Sequence, residues 1–208
     1  MKNITVLVSG GGTNLQALID AEKSGIIKNG KITRVISSNP DAYALTRAKN
    51  ADIKTDVVSR KDFSSSEEYD KAILKALTSA NTDLIVLAGF MYILGKSVTD
   101  QYKNKIMNVH PALIPSFCGE GYYGLRVHKA ALEYGVKLTG ATVHFVNEQA
   151  DAGPIIIQKS VAIKSDDTPE TLQKRVMEQA EWQILPRAVA LFCEDKLSVN
   201  GNIVNIKE

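Results

Sequence analysis

A chain of 208 residues, 44% apolar and 23% charged, is long enough to bury its own core, which excludes disulfide-stapled miniproteins and disordered tails. Its formal net charge is +2 and its basic residues are dispersed, with no run longer than pairs such as Arg60-Lys61, which argues against an extended nucleic-acid footprint. Cys118 and Cys193 lack CxxC spacing and a histidine partner at ligand spacing, so no metal site is expected.

Ile4 to Val8 is a β-branched apolar run that stops at Ser9-Gly10-Gly11-Gly12, a buried strand ending in a glycine turn. From Asn14, placed as the N-cap, Leu15, Leu18 and Ile19 mark one helix face. Strands follow at Ile32 to Ile36 and around Ile53 to Val58, with a helix from Ala42 to Asn50 between them. Ser66 to Ala80 reads as a helix burying Tyr69, Ile73, Leu74 and Leu77. Leu84 to Ala88 is an unbroken apolar strand, the mark of a central parallel position. Ile106 to Val109 is another strand. Leu138 to Val146 and Ile155 to Ile163 then form a hairpin-like antiparallel pair. Thr168 as N-cap and Pro169 at the first position open a long helix to about Phe192, and Lys196 to Glu208 is a short strand or tail.

The alternation predicts an α/β fold: one domain, 1–208, with a mostly parallel twisted sheet, helices on both faces and an antiparallel extension near the C-terminal part. Residues 1–105 read as a nucleotide-binding half and 106–208 as a catalytic half. The longest apolar run, Leu84 to Leu94, is shorter than the ~20 residues of a membrane span, and the N-terminus has no signal-peptide pattern. A cytoplasmic protein acting on small molecules, without membrane or nucleic-acid partners, as a monomer or homodimer, is expected.

Ser9 to Asn14 joins a strand to a helix through three glycines, so free amides at the helix start can meet a phosphate. No Lys follows as in a P-loop. Leu15 replaces the third glycine of a dinucleotide fingerprint, and Ser37-Ser38 stand where that fingerprint has an acid. A mononucleotide phosphate fits better than NAD; a tight turn without a ligand is the competing reading of the glycines alone.

In Met107-Asn108-Val109-His110-Pro111, Asn108 and His110 point the same way on an extended strand. At the C-terminal edge of a parallel sheet they would face the ligand crevice, where an amide and an imidazole suit an oxyanion. A carboxylate beside His110 would raise its pKa and keep it charged; Asp151, in the turn Ala150 to Pro154, is the candidate, but nothing local ties it to His110 and taken alone it reads first as a turn former.

The segments Ser9 to Gln16, Leu87 to Met91, Asn108-Val109-His110-Pro111 and Asp151-Ala152-Gly153-Pro154, in this order and spacing, resemble the folate-dependent formyltransferases, and the glycine turn ending Thr-Asn resembles the branch that formylates glycinamide ribonucleotide in purine synthesis. The resemblance spans almost the whole chain. It implies that Gly12, Thr13 and Asn14 hold the substrate phosphate and that Glu181 contacts the glycinamide end. It implies further that Met91, Tyr92, Ile93, Leu94 and Asn108 contact 10-formyltetrahydrofolate as co-substrate, with no metal. Asn108, His110 and Asp151 would be catalytic, with His144 near the site. Tyr92, and Ser64 to Ser66, stand where members of the family often carry Arg; Arg60 or Lys61 is the expected substitute for the folate-tail contact. The loop Phe117 to Gly124 is longer than in some relatives and is expected to shape the pocket. The rival readings are formyltetrahydrofolate deformylase, disfavoured by a first strand that begins at residue 3; formyl transfer to methionyl-tRNA, disfavoured by charge and length; and a nucleotide-binding module without catalysis.

Overall fold

A computed structural model describes residues 1–207; Glu208, the last residue of the expected C-terminal strand or tail, lies outside the described residues. Strand β1 (Lys2–Val8) sends its side chains alternately into two cores, Ile4, Val6 and Val8 into one and Leu7 into the other, all fully buried. Strands β2 (Gly30–Ser37), β3 (Lys54–Val57), β4 (Leu84–Leu87) and β5 (Ile106–His110) complete the parallel part. Strand β6 (Leu138–Phe145) runs antiparallel to β5, and β7 (Ile155–Ala162) antiparallel to β6, as the sequence pattern implied. The C-terminal segment is a hairpin, β8 (Leu197–Asn200) and β9 (Ile203–Ile206), joined to β7 through Ile155 and Ile203. The nine strands form one sheet in the order β3-β2-β1-β4-β5-β6-β7-β9-β8.

Helices α1 (Thr13–Lys23), α2 (Tyr43–Asn50), α6 (Pro169–Val176) and α7 (Trp182–Cys193) cover the face that holds Ile4 and Val6. Helices α3 (Ser66–Ser79) and α4 (Lys96–Gln101) cover the face that holds Leu7. Two helices were not anticipated: α4, too short for periodicity to mark, and α5 (Leu125–Tyr134), masked by the glycine-rich segment before it. Thr168 caps α6 as expected, its side chain accepting from Thr171 N, and Pro169 follows. The single long helix expected to Phe192 is instead two helices joined by a π-helical segment, Met177–Glu181. Among the described residues no helix is long and apolar enough to cross a membrane.

Strand order reverses at β1, which has β2 on one side and β4 on the other. The crevice for ligands in open α/β sheets lies at the C-terminal ends of strands at such a point. Three segments meet there. Ser9 Oγ lies 2.6 Å from Ser38 Oγ and accepts from Met91 N at 3.0 Å, stitching the ends of β1, β2 and β4 together.

Candidate functional site: a nucleotide turn and a histidine–carboxylate corner

The glycine turn ends at Gly12, which caps α1 with φ 72. A Cβ there would strike Ala44, so both conformation and space require glycine. The turn makes Thr13 the first helical residue. Asn14 is therefore inside the first turn and is not the expected N-cap; no side chain caps α1. Its amide is used elsewhere: Nδ2 donates to Glu181 Oε2 at 2.7 Å. Thr13 Oγ1 donates to Met177 Sδ at 3.8 Å. Glu181 reaches Asn14 from the last residue of the π-helical segment, where the wider turn re-aims side chains within a helix. The contact is under-bonded. Asn14 Oδ1 is buried with no partner among the described residues. Burial pushes the Glu181 carboxyl up to about 7, with the Asn14 bond pulling the other way.

The second cluster grows from β5. Asn108 pairs with His144 across the strands, and His110 with Thr142. Asp151 enters from the turn between β6 and β7 with φ 53, a strained conformation for a non-glycine residue. Its Oδ2 lies 3.4 Å from His110 Nδ1, and its Oδ1 lies 3.6 Å from His144 Nε2. Asn108 Nδ2 is 3.4 Å from Asp151 Oδ1 and 3.3 Å from His144 Nε2. The sequence-remote residues 108, 110, 144 and 151 are thus brought together.

Two backbone groups that sequence reasoning missed complete this corner. Gly119 N donates to Asp151 Oδ2 at 3.0 Å, and His110 Nε2 donates to the Phe117 carbonyl at 2.8 Å. Only the run of glycines at 119, 121 and 124, all with positive φ, hinted that the backbone here takes a special path. Cys118 Sγ donates to Pro115 O, and burial, with Asp151 adding to it, pushes its thiol up and away from reactivity.

The His110 protonation state differs from expectation. Burial pushes the imidazole below its ordinary range, and Asp151 and the Phe117 carbonyl do not overcome it. Nε2 carries a proton because a carbonyl can only accept; Nδ1, facing Asp151, is then the site that gains or loses one. His144 Nδ1 donates to Phe145 O, and its Nε2 faces both Asn108 Nδ2 and Asp151 Oδ1. Burial alone would raise the Asp151 carboxyl, but the His144 contact first, with the Gly119 amide, holds it below the usual carboxylate range. Behind His110, His128 is fully buried; burial and then His110 push it down to about 4, so it is neutral.

Of the residues expected at the folate, Met91 and Ile93 are exposed and Tyr92 packs on Tyr69 and Phe90, while the Leu94 side chain is buried in the core and offers no open surface. Arg60 donates to Phe63 O at 2.8 Å and to Ser66 Oγ at 3.4 Å, which brings its guanidinium to the expected substitution site.

A helix-covered sheet with a phosphate-type turn and a buried histidine–carboxylate corner at one crevice is the arrangement of an α/β enzyme. The chain belongs to the formyl transferase family, whose model matches residues 2–189. It is similar to phosphoribosylglycinamide formyltransferase of Haemophilus influenzae, 46% identical over 203 residues, 98% of this chain and 92% of that protein. The crystal structure of glycinamide ribonucleotide transformylase 1 from Symbiobacterium toebii matches it with a TM-score of 0.94 at 39% identity, over 100% of this chain and 95% of that one. A formyltetrahydrofolate deformylase from Pseudomonas syringae matches with a TM-score of 0.87 at 27% identity, over 100% of this chain and 66% of that one.

Proposed function

We propose that this chain transfers the formyl group of 10-formyltetrahydrofolate to the amine of glycinamide ribonucleotide, a step of purine biosynthesis. The observation that carries the reading is the corner in which Asp151 lies within 3.6 Å of Asn108, His110 and His144, beside a turn suited to a phosphate. Gly12, Thr13 and Asn14 hold the phosphate on the free amides that open α1. Met91, Tyr92 and Ile93 supply apolar surface for the pteridine, and Arg60 a cation for the folate tail. The halves 1–105 and 106–208 share the site, since Asn14 and Glu181 come from opposite ones.

Proton accounting assigns the roles. The substrate nitrogen arrives as an ammonium and leaves as a formamide, so it sheds two protons. Glu181 accepts the first, with Asn14 Oδ1 beside it as a further acceptor, and releases it to solvent. The amine then attacks the formyl carbon. His110, neutral beforehand, accepts the second proton at Nδ1, where Asp151 stabilises the imidazolium. His110 passes that proton to the folate nitrogen as its bond to carbon breaks. The tetrahedral oxyanion is met by the charged His110 and by Asn108, whose present contacts are long and weak enough to exchange.

Hydrolysis of the formyl group is the second reading, favoured by the likeness to a deformylase. One assay separates them. The protein is mixed with 10-formyltetrahydrofolate, and tetrahydrofolate is followed with and without glycinamide ribonucleotide. Release only with the nucleotide is expected. Release without it makes the protein a hydrolase, and no release in either mixture makes it a binding module.

A further inference from the structure

A groove of about 830 Å³ runs along the outer side of α1, within the size range of small-molecule sites. It shares Thr13 with the crevice but is not lined by Asn14, His110, Asp151 or Glu181. Ala17 and Ala21, one turn apart on α1, give it a shallow apolar floor. Trp182 and Pro186, one turn apart on α7, form a flat wall.

The charge of the groove is not neutralised. The arginine ion pairs among the described residues are Arg34–Asp56 and Arg175–Asp167. Arg47 and Arg187, which both line the groove, are in neither. Asp20, the one acid lining it among the described residues, accepts from Gln16 Nε2 at 2.9 Å and keeps its charge, so two arginines face one carboxylate. Arg47 spends Nε on the Gly11 carbonyl at 2.8 Å and Nη1 on Gln16 at 3.2 Å. The Arg47 guanidinium also lies over the Tyr43 ring, 5.0 Å from its centroid, but its Nη2 and the whole Arg187 head make no hydrogen bond or ion pair among the described residues, so two cations flank an apolar, flat-walled slot. Planar guanidinium groups in such a setting match phosphate oxygens and aromatic faces.

We propose that this groove is a second ligand site, for a planar organic anion of the nucleoside monophosphate class. The ring lies against Trp182 and Pro186, and the phosphate lies on Arg187 and the open edge of Arg47. Because Arg47 also braces Gly11, occupancy is felt at the phosphate turn. The site is separate from the crevice and stands whether or not the chain is a formyltransferase.

Trp182 is the only tryptophan, so intrinsic fluorescence reports on the groove directly. AMP is titrated in the presence of saturating glycinamide ribonucleotide, with adenosine as a ring without the anion and ribose 5-phosphate as an anion without the ring. A saturable change with AMP is expected, with each control at least about tenfold weaker. Arg187→Glu weakens AMP by about tenfold or more and leaves formyl transfer without AMP unchanged. No saturable change, an Arg187→Glu variant that binds AMP like the parent, or an AMP signal that glycinamide ribonucleotide abolishes would each overturn the proposal, the last by placing AMP in the crevice.

Discussion

The two polar clusters at the crevice are built on opposite principles. Around Asp151 two histidines, an asparagine and a backbone amide converge on one carboxylate, which is held below the usual carboxylate range. At Asn14 and Glu181 a single bond links two buried groups, one acceptor is orphaned, and the carboxyl is pushed up to about 7. A buried polar group without a partner carries a desolvation cost, so proteins seldom leave one idle. The contrast separates a rigid corner, where bonds to carbon form and break, from an open acceptor pair that a substrate N–H completes.

Three variants probe the contrast. The largest effect is expected in the satisfied corner. His110→Ala lowers kcat by roughly 10² to 10⁴, the usual worth of a positioned acid–base group, with ribonucleotide affinity little changed by calorimetry. Next is Glu181→Gln. In the parent, kcat/KM rises as Glu181 ionises near pH 7; in the variant that limb disappears and the rate falls roughly 10². Stability moves the other way. A carboxyl whose folded value is raised contributes stability below its ordinary value of 4.5 and loses it as pH rises through about 7. At about 1.4 kcal/mol for each tenfold of proton affinity, Glu181→Gln gains on the order of 3 kcal/mol over the parent at pH 8, read from denaturant melts. An unchanged pH profile together with unchanged stability would remove the distinction between the clusters.

The smallest effect serves as the control. Asp167 accepts from Arg175, Lys164 N and Thr171, and Arg175 above all lowers its carboxyl to about 2. Its contribution to stability is therefore present above the ordinary 3.8 and lost as pH falls through about 2. Asp167→Asn costs about 2 kcal/mol at neutral pH and leaves kcat alone. A kcat loss comparable to that of His110→Ala would mean that stability, not chemistry, governs both.

Much of this arrangement was legible because it is local. The β-branched run into Gly10 to Gly12, the Leu15, Leu18 and Ile19 stripe, the Thr168-Pro169 start and the apolar Leu84 to Leu87 strand each carry their own period or cap. The convergence of residues 108, 110, 144 and 151 came from resemblance, since nothing local ties a turn to a strand 41 residues away. Three things left no local trace. The π-helical segment that delivers Glu181 differs from an α-helix only in which carbonyl each amide meets, and side-chain periodicity barely registers that. Gly12, not Asn14, ends the turn because Ala44 of a distant helix crowds it. His110 was expected to be charged because Asp151 faces it; how deeply the ring is buried, which reverses the sign, is a property of the folded surroundings alone.

The most direct test of the central claim is a kinetic cycle of His110→Ala, Asp151→Asn and the double variant, with kcat for formyl transfer measured at saturating substrates. If the two residues act as one proton relay, the double variant is no slower than the worse single one. Losses that multiply, or a near-parental kcat in either single variant, would contradict the account.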